Sequence, residues 1–357
     1  MSEWDDLLAS IAAKTADYRE GDLPVPTADH VGRWISQFDA EVRLPMLREM
    51  DYVLQRTYFS KQEIEKELAD HVRVIGDGGK DLNEASAIAY WRGTEILNIQ
   101  QRGRSQADIN EIFAGALRDR FGLGLADCQG GDRRFVYFDD ILFSGDRIQN
   151  DLVAWLDDSA PNEGHVSIIV LIAHSLGKWE TERNLKEAIA RSGKKITFDI
   201  QEQIVLENRK RYRNDADVLW PTELPDEDIV DEDIVREYAA AQRFPFEPRA
   251  PIPTPHTNIF SSEAGRQLLE RELLMAGLKI ISFSRNPAQR VRPLGYGRYG
   301  LGFGSTLVTY RNCPNNAPLA LWWGDPHAAP GHPFRRWYPL LPRRTYEQGV
   351  VAHDFDF

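Results

Sequence analysis

Cysteine is almost missing from this sequence: Cys128 and Cys313 are the only two in 357 residues, which excludes a disulfide framework and a cysteine-built zinc site. A surplus of positive charge is missing too. With 43 Lys and Arg against 55 Asp and Glu, the formal net charge is −12, and this excludes a basic coat for sequence-independent nucleic-acid binding. The clusters Arg209, Lys210, Arg211 and Arg213, and Arg335, Arg336, Arg343 and Arg344, read as solvated faces and loops. No apolar run approaches the length that spans a bilayer, and the opening MSEWDDLLAS is acidic, without a signal-peptide pattern. A cytoplasmic location and no membrane partner are expected.

What is present is an ordinary globular composition, 42% hydrophobic and 27% charged, arranged in three stretches. Residues 1 to 85 read as a helical N-terminal region. Trp34, Ile35, Phe38 and Val42, then Leu47, Met50 and Leu54, recur at helical spacing, with Pro45 expected to split the run into two helices. Ser60 and Glu63 form a capping-box pattern.

Residues 86 to 245 alternate strand with helix. EILNIQ, RFVYF, VSIIVLIA and KITFDIQEQIVL read as strands; the segments beginning QADINE, RIQNDL and ETERNL read as helices, with Gly122 and Gly193 as stops. VSIIVLIA is a continuous apolar run, the mark of a strand covered on both faces. Such alternation predicts an α/β fold, a doubly wound, mostly parallel sheet. The acidic repeat within PDEDIVDEDIVREY reads as a solvated helix or linker.

Residues 246 to 357 read as an irregular α+β C-terminal extension. A proline-rich connection precedes a helix capped by Ser262 and expected to end at Gly277; STLVTY and LALWW read as strands. GYGRYG, residues 295 to 300, matches G-x-G-x-x-G literally, but no helix follows it, so it reads as a loop with close backbone approach.

The stretch that carries chemistry is FVYFDDILFSGDR, residues 135 to 147. In an open parallel sheet, ligands dock beyond the carboxyl ends of the strands. Asp139 and Asp140 stand at such an end. Ser144, Gly145, Asp146 and Arg147 then enter a helix N-terminus, where first-turn amides and the helix dipole favour a phosphate. Carboxylates beside phosphate-binding amides suit a ribose 5-phosphate.

FVYFDDILFSGDR resembles the phosphoribosyl pyrophosphate signature of type I phosphoribosyltransferases. The resemblance implies that Asp139 and Asp140 engage the ribose 2′- and 3′-hydroxyls and hold Mg²⁺, and that Phe143 to Arg147 wrap the 5′-phosphate. The sequence departs from the enzymes' pattern at Phe143, where Thr is common, at Asp146, which puts an acid in the loop, and at Arg147, where Thr or Ser is usual.

Such a fold also holds pyrophosphate on a loop after an earlier strand. Arg102, Gly103, Arg104 and Ser105 fit that place, and an exposed basic turn fits them equally. His174 and Lys178, after the following strand, are further candidates.

VGRWISQF and GFGSTLVTYRNCPNNAPLALWW are similar to the flanking regions of phosphoribosyltransferase-like proteins from bacterial conflict and antiphage systems, some encoded beside retron reverse transcriptases. This implies a toxic effector restrained by a partner protein or nucleoprotein, such as a reverse transcriptase with its nucleic acid. Asn315 and Asn316 of PNNAP are a family mark, and asparagines capping a turn account for them without a ligand. A sensor that binds a phosphoribosyl ligand or nucleotide without chemistry is the alternative.

Overall fold

The computed structural model describes residues 2–73, 81–101, 104–224, 246–251, 259–283, 291–297 and 300–343. In chain order the elements begin with α1 (Glu3–Lys14), α2 (Ala28–Ile35), α3 (Ala40–Thr57), β1 (Tyr58–Phe59), α4 (Lys61–His71) and α5 (Glu84–Arg92). The alternating region follows as β2 (Thr94–Ile96), α6 (Ser105–Phe121), β3 (Arg134–Leu142), α7 (Asp146–Asp158), β4 (Glu163–His174), α8 (Ser175–Ser192) and β5 (Lys195–Leu206). Then come α9 (Glu263–Ser282), β6 (Val308–Thr309) and the short α10 (Leu319–Trp322).

The chain forms two compact units, one from Gln62–Arg211 and one from Met1–Lys61 together with Tyr212–Phe357. The boundaries expected at residues 85 and 245 concern domains; by compactness alone the chain divides after Lys61 and after Arg211.

The 62–211 unit is built on a four-stranded parallel sheet in the order β2-β3-β4-β5. Helices cover both faces, as expected for this α/β class. Successive side chains of a strand point to opposite faces, and β3 shows which helix lies where. Phe135 meets Trp155 of α7 with ring centroids 5.1 Å apart, whereas Phe138 meets Phe113 of α6 at 4.4 Å. On the α7 side Phe135, Tyr137, Val166, Ile168 and Val170 pack with Leu152, Trp155 and Leu185 in one buried core. Gly122 and Gly193 end α6 and α8 in the left-handed region, at φ +67° and +68°.

In the unit built from both chain ends, α1 begins with a capping box between Ser2 and Asp5. The Trp34 and Trp337 indoles donate to the same Ala320 carbonyl, each at 2.9 Å. Both tryptophans are buried, as is Trp322.

Three local expectations differ from the fold. Pro45 lies inside α3, and the break between helices falls at residues 36–39. One lost backbone bond near the helix start is outweighed there by the burial of Met46, Leu47, Met50, Val53 and Leu54. Gly277 does not end α9, which runs to Ser282; a Cβ at Gly277 would lie 2.4 Å from the Pro293 carbonyl oxygen, so glycine answers close packing there. LALWW is helical over Leu319–Trp322, a four-residue apolar run whose period does not separate strand from helix.

Gly295, at φ +99° and packed on the Asn316 and Ala317 carbonyls, bears out the close-approach reading of that loop's first glycine. The acidic repeat at 225–238 and residues 298–299 lie outside the described residues.

Candidate functional site

β3 continues through the acid pair to Leu142, so the two aspartates occupy its carboxyl-terminal half rather than terminate it. Alternation puts Asp139 on the same face as Phe135 and Tyr137, toward α7, and it is 2% exposed. That burial departs from the open cleft a sugar-binding acid suggests. Asp140 is half-buried, and the Arg147 side chain, 51% exposed, lies with Nη1 3.9 Å from Asp139 Oδ1. The Asp140 amide donates to Asp139 Oδ1 and the Ile141 amide to Asp140 Oδ1, each at 3.0 Å.

Burial, and after it the neighbouring Asp140 carboxylate, push the Asp139 carboxyl up to about 7 against the opposing pull of Arg147. The pair therefore retains a proton near neutrality. The folded state binds this proton more tightly than the unfolded chain, whose value is 3.8. Its stabilising contribution is complete below that value and is lost as pH rises through about 7. A thermal-unfolding series across this window is expected to show a fall in Tm that Asp139→Asn abolishes.

Arg147 does more than face Asp139. Its Nη1 donates to Ser105 Oγ at 2.8 Å, and Ser105 is the first residue of α6. One guanidinium thus links the start of α7 to the start of α6, bringing together Asp139, Arg147 and Ser105 from the two loops singled out in the sequence. Arg104 is not drawn in: its side chain is 84% exposed, with Asp108 Oδ1 3.9 Å away. Arg102 and Gly103 lie outside the described residues.

Ser144 Oγ accepts from the Asp146 amide at 3.3 Å, and Asp146 opens α7. Gly145 is needed twice over. It adopts φ +77°, and a Cβ would sit 1.7 Å from Thr181 Oγ1 of α8. Gly145→Val is expected to cost about 2–4 kcal/mol in denaturant unfolding.

The Phe143 ring stacks on His174 with centroids 5.3 Å apart, while a Cβ at Gly177 would meet the Phe143 carbonyl oxygen at 1.8 Å. The loop is thereby pressed against the first turn of α8. Burial pushes the His174 imidazole down to about 3, which keeps it neutral. Lys178 is ion-paired with Glu202.

Several supporting residues carry no sequence motif. Asp151, 3% exposed on α7, accepts from the Tyr137 hydroxyl at 2.9 Å and from the Gln101 amide at 3.2 Å. It ties the loop after β2 to both β3 and α7. Gln106 Oε1 accepts the amides of Ile99 and Gln100 at 2.7 and 2.9 Å, and the Gln106 amide donates to Gln100 Oε1 at 2.9 Å. The available signal was Asp151 itself, a carboxylate among Ile148, Leu152, Trp155 and Leu156 on the buried stripe of α7.

Among the described residues no group of three or more His, Cys, Asp or Glu side chains converges as a metal cage. Asp139 and Asp140 form a pair of repelling carboxylates that retains a proton. Such a pair suits a Mg²⁺ ion, which takes one or two carboxylates and completes its shell from substrate phosphates and water.

The family model PRTase-CE matches residues 31–343. The chain belongs to this phosphoribosyltransferase-like family. The match runs through both compact units, so the PRTase-CE unit of homology is larger than the parallel sheet that carries the acid pair. Comparisons with curated proteins and with solved structures gave no match. Among the described residues no helix is long and apolar enough to cross a membrane.

Proposed function

We propose that this PRTase-CE protein binds phosphoribosyl pyrophosphate at the carboxyl-terminal half of β3 and transfers its phosphoribosyl group. The observation that carries the reading is the placement of Asp139 and Asp140 beside Arg147, which joins the phosphate-loop candidate to Ser105 at the head of α6. Asp140, the more open acid, accepts from the ribose hydroxyls, with Asp139 beneath it. Ser144 and Gly145 receive the 5′-phosphate at the start of α7, where the first-turn amides and the helix dipole favour an anion. Arg147 offsets Asp146 and adds a guanidinium to the phosphate. Ser105 and the α6 N-terminus face the pyrophosphate.

In the transfer, an acceptor nucleophile forms a bond to C1′ as the bond from C1′ to the pyrophosphate oxygen breaks; the electron pair leaves with pyrophosphate and the acceptor gives up its proton to solvent or a base. Asp139 and Asp140 would hold Mg²⁺, which when bound supplies charge neutralisation to the pyrophosphate. Positioning by the two loops supplies the rest.

The likeness to antiphage proteins extends the proposal to a toxic effector restrained by a partner protein or nucleoprotein. Asp146 favours one second reading, a sensor that binds the same ligand without turnover, because an acid in the phosphate loop opposes the tight, fixed placement of the 5′-phosphate that transfer at C1′ requires.

Release of pyrophosphate from phosphoribosyl pyrophosphate, followed with Mg²⁺ and a panel of bases, nucleotides, nucleic acids and proteins, separates the two. Acceptor-dependent release that Asp140→Asn abolishes supports the transferase. Saturable binding with no release across the panel supports the sensor.

A further inference from the structure

The unit built from the two chain ends holds two arginines whose charges are poorly matched by their surroundings. Arg19 follows the buried Tyr18 and adopts φ +51°, a left-handed conformation that is strained for a non-glycine residue. Its amide donates to the Tyr310 carbonyl at 2.6 Å, which holds the backbone in place. Its side chain is 15% exposed, and its Nη2 pairs with the half-exposed Asp22 at 3.1 Å. Among the described residues its buried Nε has no hydrogen-bond partner.

Arg343 follows Pro342 and lies with its guanidinium 5.1 Å from the centroid of the Trp322 ring. That ring is fixed by an indole bond of 2.8 Å to the Ala317 carbonyl. Among the described residues Arg343 has no carboxylate within ion-pairing distance and no hydrogen bond. The two arginine-bearing segments meet at one phenol. Tyr18 OH lies 3.1 Å from the Pro342 carbonyl and accepts the Cys313 amide at 3.0 Å.

We propose that Arg19 and Arg343 form an oxyanion site that takes a phosphate group. A guanidinium held 5.1 Å from an indole centroid spends none of its N–H groups on the ring's edge, which leaves donors for a two-point grip on such an oxyanion. Among the described residues the half-exposed Asp22, on Arg19, is the one carboxylate paired with either arginine. Burial pushes the Cys313 thiol up to about 12 and the Tyr18 phenol up as well, so both are neutral at physiological pH. Burial, with Arg19 adding to it, pulls the Arg343 guanidinium below its usual value, as expected for a cation waiting for a counter-charge. Arg19 and Arg343 both act on the Tyr18 phenol, so their two charges bear on the same point.

The test is thermal unfolding of the full chain in sodium phosphate against sodium chloride of equal ionic strength. It is run in an Arg147→Gln background, which removes the guanidinium from the other phosphate-binding candidate. Phosphate is expected to raise Tm by about 2–4 °C more than chloride does. Adding Arg19→Gly should remove most of that difference, and glycine accepts the left-handed conformation, so the variant should fold. Arg343→Gln gives an independent second removal.

A response to inorganic phosphate alone supports a site for the free ion. A response to adenosine 5′-monophosphate at about tenfold lower concentration supports a site for a phosphate ester. Equal responses to phosphate and chloride, or a phosphate response that survives both Arg19→Gly and Arg343→Gln, would overturn the proposal.

Discussion

A protein carrying Asp139→Asn and Asp140→Asn is expected to fold at pH 8 with a Tm at or above that of the wild type, while losing phosphoribosyl pyrophosphate affinity by about 100-fold or more. The two effects come from the same geometry. Asp139 is 2% exposed beside a second carboxylate, so neutral amides of the same shape relieve repulsion and desolvation on the order of 2 kcal/mol. The ligand loses two charged acceptors and the carboxylates proposed for Mg²⁺. Melting curves and isotherms on the same preparation check both halves. A variant that unfolds, or that binds as tightly as the wild type, contradicts the assignment of these residues.

Glu270→Gln is expected to be the most damaging single change in the unit built from the chain ends, at about 3–5 kcal/mol in denaturant unfolding. Glu270 is 1% exposed, between Arg249 at 2% and Arg266 at 3%. Arg249 grips it with two bonds, Nε to Oε1 at 3.0 Å and Nη2 to Oε2 at 2.8 Å. Arg266 Nε donates to Oε1 at 2.8 Å and the Trp220 amide to the same oxygen at 2.9 Å. Removing this negative charge leaves two buried cations with one paired carboxylate among the described residues, Glu263 on Arg249 Nη1 at 2.8 Å, while Arg266 keeps the neutral Val218 carbonyl at 2.8 Å. A loss below about 1 kcal/mol would mean that the guanidiniums find water once Glu270 is gone.

The parallel sheet was legible because each of its elements has a strong local period. β5 runs over Lys195–Leu206, the residues of KITFDIQEQIVL, and Gly122 and Gly193 mark the ends of α6 and α8 where glycine alone relaxes the left-handed turn. The acid pair and its glycine loop were legible for the same reason, since thirteen consecutive residues carry them.

What the sequence hid is long-range. The bond from Arg147 to Ser105 spans 42 positions, and no local pattern announces it. Asp151 looks like one more polar residue until Tyr137 and the Gln101 amide are seen to share its two oxygens. The packing of the first helices with the last segment rests on contacts such as that of Trp34 with Ala320, 286 positions apart. Pro45 and Gly277 were read by their usual local effect, and packing overrode it at both.

Whether the acid pair on β3 binds phosphoribosyl pyrophosphate is read from a calorimetric titration of that ligand into the wild-type chain with Mg²⁺, at about pH 6 and about pH 8. One saturable site is expected, tighter at the higher pH, because a cation and its ligand require the proton held near Asp139 to leave. The absence of saturable binding at either pH would contradict it.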